Sequence, residues 1–109
     1  MIKIPQKYSR KLKWGVAGCG RYAEQTFIPA IKLLRKSVLT SLYSSDINRA
    51  KSLADKFGIE QHFNNYDEFL RSDINAVYVS SANVNHYSQV IKAARAGKHV
   101  LCEKPLALT

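Results

Sequence analysis

Three small residues stand at regular positions in one short motif near the N-terminus, Gly18-Cys19-Gly20-Arg21-Tyr22-Ala23. In a G-x-G-x-x-A motif, Gly18 allows a sharp turn out of a strand, Gly20 leaves room for a phosphate, and Ala23 lets the following helix pack closely. The start of that helix offers free N–H groups and a positive dipole end to an anion. The motif therefore predicts a dinucleotide site that includes Arg21 and Tyr22, with a tight turn lacking a ligand as the alternative.

A lysine, Lys104, follows directly on the last predicted strand in the tripeptide Glu103-Lys104-Pro105. If the strands are ordered 3-2-1-4-5, this strand lies two places from the first, about 10 Å away at about 4.8 Å per strand. A cofactor whose adenosine lies toward the second strand brings its nicotinamide ring to this position. Lys104 is therefore a candidate to hydrogen-bond a substrate hydroxyl or assist its proton transfer. Otherwise a lysine at a strand end is usually exposed and inert.

Two serines, Ser44 and Ser45, follow the second predicted strand. NAD-selective domains place an acid at this strand end to bind the adenosine ribose. Asp46 comes too late for that role and is better placed to cap the next helix. A small hydroxyl leaves room for a 2′-phosphate, which Arg49 or Lys51 would neutralise. The sequence slightly favours NADP and leaves NAD open; ordinary turn serines are the other interpretation.

The segment 81–86, SANVNH, forms the loop after the fourth predicted strand. Such a loop borders the crevice at which the strand order reverses. Asn83 is a candidate contact to the cofactor ribose. His86 begins the next helix, where a positive dipole end disfavours its protonation, and a neutral histidine that only bonds the loop is the alternative. No spacing of His, Cys, Asp and Glu indicates a metal site.

Strands alternate with helices along the chain, which predicts an α/β fold with parallel pairing and right-handed crossovers. We expect a Rossmann-type doubly wound parallel sheet in the order 3-2-1-4-5. The strands are predicted at 12–18, 38–43, 61–63, 74–80 and 99–102. The chain ends just after the fifth strand, so we expect a truncated domain, a fragment without a sixth strand and with the C-terminal substrate domain absent.

Apolar spacing predicts the helices and the faces that they bury. The first is expected over 22–34, kinked or shortened by Pro29. The second begins at an Asp46 cap and ends at Gly58, a brief acidic-capped helix runs through Leu70, and the last ends at Gly97. The predicted buried faces are Phe27, Ala30, Ile31 and Leu34 in the first helix, Ala50, Leu53, Ala54 and Phe57 in the second, and Tyr87, Val90, Ile91 and Ala94 in the last.

Composition and charge suit one ordinary globular domain with a basic N-terminal tail. The chain has 109 residues and a formal net charge of +9, and five basic residues but no acid lie in residues 1–13. We therefore expect a solvated tail at 1–13 and a dinucleotide-binding domain at 14–109. The tail could attract a polyanion, but no recognisable nucleic-acid motif is present. The two cysteines indicate reduced thiols, and the lack of a signal peptide or apolar span predicts a cytoplasmic protein.

The sequence resembles the N-terminal half of the Gfo/Idh/MocA oxidoreductases, which include glucose–fructose oxidoreductase and inositol dehydrogenases. The segments that carry the resemblance are WGVAGCGRYA, DINRAKSLADKFGI, YDEFL, DINAVYVSSANVNH and AGKHVLCEKPLALT. They cover nearly everything after residue 13, and the segment around EKP is far more specific than the glycine motif. Where many members have a proline before the loop asparagine, this chain has Ala82, and Ser45 replaces an arginine often found there.

The resemblance implies a role for each matched position. Gly18, Gly20 and Ala23 would cradle the pyrophosphate, and Ser44 and Ser45 would face the adenosine ribose or its phosphate. Asn83 and His86 would lie near the cofactor. Glu103 and Lys104 would lie beside the nicotinamide, with Lys104 contributing to substrate binding and catalysis. The implied activity is hydride transfer between NAD(P) and a sugar, cyclitol or similar polyol.

Other functions remain open from the sequence. The chain could be a non-catalytic dinucleotide-binding module or a truncated remnant, and we expect the fragment alone to be inactive because half of the site is missing. A methyltransferase is disfavoured, because those enzymes want an acid at the end of strand two and need no lysine after strand five. We expect no nucleic-acid or membrane partner, and self-association is plausible if apolar surface is exposed.

Overall fold

Five parallel strands form one sheet in the computed structural model, which describes residues 12–21, 23–80 and 85–102. The strands are β1 Leu12–Ala17, β2 Ser37–Tyr43, β3 Gln61–Phe63, β4 Ala76–Val79 and β5 His99–Cys102. Their order is β3-β2-β1-β4-β5, and every neighbouring pair is parallel. The predicted sheet order is therefore confirmed. The chain adds strands on one side of β1 up to β3 and then continues on the other side of β1 with β4.

Helices cover both faces of this sheet. A π-helical turn, Ala23–Phe27, leads into α1 Ile28–Lys32, and the other helices are α2 Ile47–Phe57, α3 Tyr66–Arg71 and α4 Asn85–Arg95. One buried cluster joins α1 and α2 to the sheet, and the second joins α3 and α4 to the opposite face. The chain is thus doubly wound, as predicted. Within the described ranges, no helix is long and apolar enough to cross a bilayer.

The ends of α2 follow the predicted signals. The Asp46 carboxylate accepts hydrogen bonds from the N–H groups of Asn48 (3.0 Å) and Arg49 (3.4 Å), which satisfies two donors at the helix start. Gly58 ends the helix with φ +67°, a left-handed conformation that a side chain would strain. The predicted inner residues Ala50, Leu53 and Ala54 are buried against β2 and β3.

The first helix differs from its prediction in both length and face. Ile28 and Ile31 are buried, whereas Ala30 is exposed and Leu34 is 54% exposed. The π-helical turn changes the residue spacing ahead of α1, and α1 ends at Lys32, so Leu34 lies beyond the helix. Pro29 lies in the first turn of α1, directly after the π-helical turn. The predicted face with Ala30 and Leu34 was therefore wrong.

The last helix buries a face turned partly away from the predicted one, although Val90 packs against the core as predicted. Gln89 and Ala93 are buried, whereas Tyr87 is 62% exposed and Ala94 is exposed. The small Ala93 side chain lets α4 pack closely on the sheet. The Tyr66 hydroxyl on α3 donates a hydrogen bond to the backbone carbonyl of Gln89 at 2.8 Å, so this part-buried hydroxyl has a partner on α4.

The cap of α3 is an amide rather than the predicted acid. The Asn65 side chain accepts a hydrogen bond from the N–H of Glu68 at 3.0 Å. Asp67 and Glu68 lie within the first turn, where their charges favour the positive end of the helix dipole. The acidic residues therefore support the helix start without capping it.

One extra residue interrupts the pairing of β1 with β2. Trp14 pairs with Leu39 and Gly15 pairs with Ser41, so Thr40 has no partner of its own on β1. The Thr40 hydroxyl donates to the carbonyl of Asp73 at 3.0 Å. Because of this bulge, Leu39 and Leu42 both lie in the cluster under α1 and α2, although three positions separate them.

Candidate functional site

The five strands end level with one another. The register partners in their last row are Phe63, Tyr43, Ala17, Val79 and Cys102, in sheet order from β3 to β5. Each strand therefore delivers its following loop to the same edge. In a doubly wound sheet, this carboxyl edge and the point at which the strand order reverses are where ligands bind.

The loop after β1 is fixed to both neighbouring strands. The Gly18 N–H donates to the carbonyl of Tyr43 (2.9 Å) on β2, and the Gly18 carbonyl accepts from the Ser80 hydroxyl (3.1 Å) after β4. Gly18 itself has φ +108°, which an L side chain rarely adopts. The first glycine of the motif thus makes the sharp turn that the sequence predicts.

Gly20 leaves open space where a side chain would otherwise stand. A Cβ atom built on Gly20 meets no other atom within 4 Å, and the residue is exposed. Its carbonyl accepts from the N–H of Glu24 at 3.1 Å, so the helix begins here. Among the described residues, no acceptor pairs with the N–H groups of Cys19 or Gly20. Open space beside amide donors at a helix start suits an anion such as a phosphate.

The third small residue of the motif, Ala23, packs inside the domain. It is fully buried in the same cluster as Val16 of β1 and Ile28 of α1. A larger residue here would push the helix away from the strand, so the buried methyl group keeps the helix start close to the glycine loop.

Ser44 begins the turn that leads from β2 into α2. Its N–H donates to the carbonyl of Phe63 (3.1 Å), and its hydroxyl oxygen accepts from the N–H of Asp46 (3.1 Å). Ser45 is exposed beside it. Ser44 therefore acts at least as a turn residue, and both serines lie at the carboxyl edge next to the glycine loop.

An ion-pair network that the sequence analysis missed joins the glycine loop to α2. Glu24 accepts hydrogen bonds from Arg49 (2.7 Å, Oε1) and from Lys56 (2.7 Å, Oε2), and Arg49 Nε donates to the Cys19 carbonyl (2.7 Å). The hydrogen bonds from Lys56 and then Arg49 lower the pKa of Glu24 to about 2. Arg49 thus pairs with Glu24, and Lys51 pairs with Asp55 at 3.1 Å.

The Cys19 side chain points into the domain rather than toward a ligand. Its Sγ lies 3.5 Å from the carbonyl of Tyr43, and burial raises its pKa to about 11 despite the nearby Arg49. The thiol is therefore protonated at neutral pH and a poor nucleophile. Cys19 and Cys102 are both free thiols.

Several predicted site residues lie outside the described residues: Tyr22, Asn83, Glu103 and Lys104. The backbone of His86 lies in the first turn of α4. Cys102 ends β5, two strands from β1 and so about 10 Å from it at about 4.8 Å per strand. Within the described part of the chain, no three His, Cys, Asp or Glu side chains group as metal ligands.

The sheet order, the turn at Gly18 and the open position at Gly20 define a Rossmann-type dinucleotide-binding domain. The family model for Gfo/Idh/MocA, described as an oxidoreductase family with an NAD-binding Rossmann fold, matches residues 12–109. The chain therefore belongs to the Gfo/Idh/MocA oxidoreductases and is an NAD-binding domain of that family. The predicted resemblance is confirmed.

Relatives with assigned activities include several reductases and dehydrogenases. The 1,5-anhydro-D-fructose reductase of Ensifer adhaerens is 40% identical over 98 residues, which are 89% of this chain and 29% of that protein. The structure of the 3-ketoreductase KijD10 of Actinomadura kijaniata, in complex with TDP-benzene and NADP, is similar with a TM-score of 0.82 and 38% identity. That match covers 89% of this chain and 31% of the ketoreductase.

The scyllo-inositol dehydrogenase of Lactobacillus casei has the same fold over this region. Its apo structure matches with a TM-score of 0.83 and 27% identity, over 93% of this chain and 30% of that enzyme. The chain thus spans about three tenths of the length of the relatives that it matches.

Proposed function

We propose that residues 14–109 form the cofactor-binding domain of an oxidoreductase that transfers hydride between a nicotinamide cofactor and a sugar, cyclitol or similar polyol. The observation that carries this proposal is the open position at Gly20, beside amide donors in a loop fixed to β2 and β4. Membership of the family and the activities named for its relatives support the reaction class.

The pyrophosphate of the cofactor would lie on the loop from Gly18 to Ala23, with Arg21 and Tyr22 at the helix start completing the contact. A charged phosphate gains most from N–H donors that lack another acceptor, because it replaces the water that they would lose. The buried Ala23 keeps those donors in place, and the positive φ of Gly18 aims them at the carboxyl edge.

The adenosine ribose would lie beside Ser44 and Ser45 at the end of β2. Neither serine carries a charge that would repel a 2′-phosphate, so we propose that NADP is slightly favoured and NAD is also accepted. Crystals of the ketoreductase relative contain NADP, which agrees with this preference.

The nicotinamide end would extend toward β5, where Glu103 and Lys104 follow Cys102. When bound, the nicotinamide ring supplies the position that gives or takes the hydride. Lys104 would donate a hydrogen bond to the substrate oxygen, because its ammonium group stabilises the alkoxide that develops there. It would also assist the proton transfer at that oxygen. Asn83, which follows β4 in the sequence, and His86, in the first turn of α4, would contact the cofactor between its two ends.

The substrate and any second subunit would contact parts of a whole enzyme that the relatives possess beyond this region. Catalysis by those relatives uses a chain about three times as long, so we expect the 109 residues to bind the cofactor without turning over a polyol. A small polyol is the proposed substrate, and a homo-oligomer is the proposed assembly of the whole enzyme.

The test is a titration of the 109-residue chain with NADPH and NADH, followed by the fluorescence of the reduced nicotinamide. Gly20→Ala places a methyl group in the open position and should weaken both cofactors at least about tenfold, the value of one lost charge-assisted hydrogen bond. Its fold should persist, because the methyl group meets no atom.

Gly58→Ala is the matched control. It also replaces an exposed glycine, but it lies at the far end of α2, where its φ of +67° makes an alanine cost about 1–2 kcal/mol of stability. We expect this variant to be less stable and to bind both cofactors as the original chain does. Equal cofactor binding by the original chain and the Gly20→Ala variant would contradict the proposed phosphate site.

A further inference from the structure

The network of Glu24, Arg49 and Lys56 stands beside the place where a Rossmann domain reads the adenosine ribose. Arg49 is the third residue of α2, directly after the turn that starts at Ser44. Its guanidinium reaches back to the carbonyl of Cys19 in the glycine loop. The charged group therefore lies between the loops that follow β1 and β2, the two loops that would hold the adenosine half of a dinucleotide.

We propose that Glu24 sets the balance between NADP(H) and NAD(H) by keeping Arg49 and Lys56 in ion pairs. This inference rests on the proposed function. The two cofactors differ by one phosphate on the adenosine 2′-oxygen, and an arginine close to the end of β2 is the group that accommodates this phosphate in Rossmann domains. The described cation nearest to that strand end along the chain is Arg49, and Glu24 already holds it.

The geometry of Glu24 makes it an effective competitor for these cations. Each carboxylate oxygen accepts from a different partner, both at 2.7 Å. The Glu24 side chain is 21% exposed, less than either Arg49 (37%) or Lys56 (58%), so its charge is the least screened by water. A 2′-phosphate must therefore draw Arg49 away from a carboxylate in place, whereas a 2′-hydroxyl needs no such exchange.

The Cys19 carbonyl restricts where Arg49 can move. The Nε donor is fixed to that carbonyl and one terminal nitrogen is fixed to Glu24, so the guanidinium plane is oriented by two bonds at once. Loss of the Glu24 charge leaves the Nε bond intact and weakens the hold on that one terminal nitrogen, which can then turn toward a phosphate. Glu24 thus acts through Arg49, as a positioning residue for cofactor selectivity.

The test measures the ratio of the NADH and NADPH dissociation constants for the full chain and for Glu24→Gln. Glutamine keeps the size of the side chain and removes its charge. We expect the ratio to rise about tenfold in favour of NADPH, the equivalent of one charge-assisted hydrogen bond gained by the 2′-phosphate. A role of Glu24 in loop structure alone would weaken both cofactors together and leave the ratio unchanged.

Asp55→Asn is the matched control for net charge. It also removes one negative charge, but Asp55 forms its ion pair with Lys51 on the exposed side of α2, whereas Arg49 and Lys56 form theirs with Glu24. Its ratio should stay within about twofold of the original, because exposed charges farther from the ligand are largely screened. A rise equal to that of Glu24→Gln would assign the effect to general charge and overturn the inference.

Lys56→Gln gives a second test with the opposite sign. Lys56 is largely exposed, so its replacement leaves the fold intact while Glu24 directs its whole charge at Arg49. The ratio should then fall below that of the original chain. An unchanged ratio in both Glu24→Gln and Lys56→Gln overturns the inference alone. Failure of the original chain to bind either cofactor refutes the proposed function and the inference with it.

Discussion

Gly15, in the middle of β1, is the position at which one added methyl group should destabilise the fold most directly. A Cβ atom there would stand 2.6 Å and 2.7 Å from two ring carbons of Phe69 and 3.0 Å from the end of the Ile74 side chain. Carbon atoms in contact normally lie about 3.5–4.0 Å apart, so either the ring or the strand must move by about 1 Å.

The Phe69 ring has little room to move. It is fully buried and packs against three other aromatic rings, those of Tyr43, Phe63 and Tyr66, at centroid distances of 5.6–6.3 Å. Overpacking of such a core costs about 1–3 kcal/mol. The lower entropy of the unfolded chain returns about 0.4–1 kcal/mol on replacing a glycine. Gly15→Ala should therefore lower the free energy of unfolding by about 1–2 kcal/mol.

Thermal and urea unfolding, followed by circular dichroism, measure this loss. At roughly 4–8 °C per kcal/mol for a domain of this size, the melting temperature should fall by about 4–16 °C. Gly20→Ala is the matched control, because the same change there meets no atom and should leave stability equal or slightly higher.

A double-mutant cycle identifies the cause. Leucine at position 69 lacks the outer ring atoms that the new methyl group would strike, so Gly15→Ala should cost less in a Phe69→Leu background. We expect a coupling free energy of about 1 kcal/mol, within the range for residues in contact. An equal cost of Gly15→Ala in both backgrounds would refute the assignment of the clash to Phe69, and a stable Gly15→Ala chain would refute the packing argument altogether.

Three further predictions concern the Asp46 cap of α2, the dependence of stability on Glu24 at low pH, and the buried thiol of Cys19. Asp46→Ala should lower the free energy of unfolding by about 1 kcal/mol because it removes the cap of α2, and urea unfolding measures this. The stability that Glu24 adds should be present above pH 4.5 and be lost as the pH falls toward 2, because its folded pKa is lowered; a constant difference in melting temperature between the original chain and Glu24→Gln across that range would contradict this. Cys19 should resist alkylation at pH 8 in the folded chain while Cys102 reacts, which mass spectrometry measures. The raised pKa of Cys19 should reduce stability as the pH rises from 9 to about 11, and alkaline melting curves should show that this loss is absent in Cys19→Ala.

The strand pattern and the ends of α2 were predictable because their signals are local. The Asp46 cap and the Gly58 stop need only the nearest residues on the chain. The sheet order follows from alternating strands and helices, because crossovers between parallel strands have one hand. The predicted glycine turn at Gly18 was visible for the same reason, since its positive φ depends on residue type.

The face of the first helix and the ion pairs of Glu24 were not predictable in this way. The π-helical turn before α1 breaks the regular spacing on which face prediction depends, and α1 ends at Lys32, so Leu34 lies beyond the helix instead of on its buried face. Glu24 meets Arg49 and Lys56 across 25 and 32 residues of sequence, and only the packing of α2 beside the glycine loop brings them together. The spacing of residues along the sequence therefore predicts neither of these two ion pairs.

Thr40, which has no register partner on β1, reverses the alternation of inward and outward side chains along β2. Before it, odd-numbered positions such as Leu39 face α1 and α2; after it, even-numbered positions such as Leu42 do so, and Tyr43 faces the opposite layer with α3. Deletion of this one residue would exchange the two sides for everything before it or everything after it. Leu39 and Tyr43 stand four positions apart and would share a face in a regular strand, so the bulge is what places them in opposite layers of the sheet.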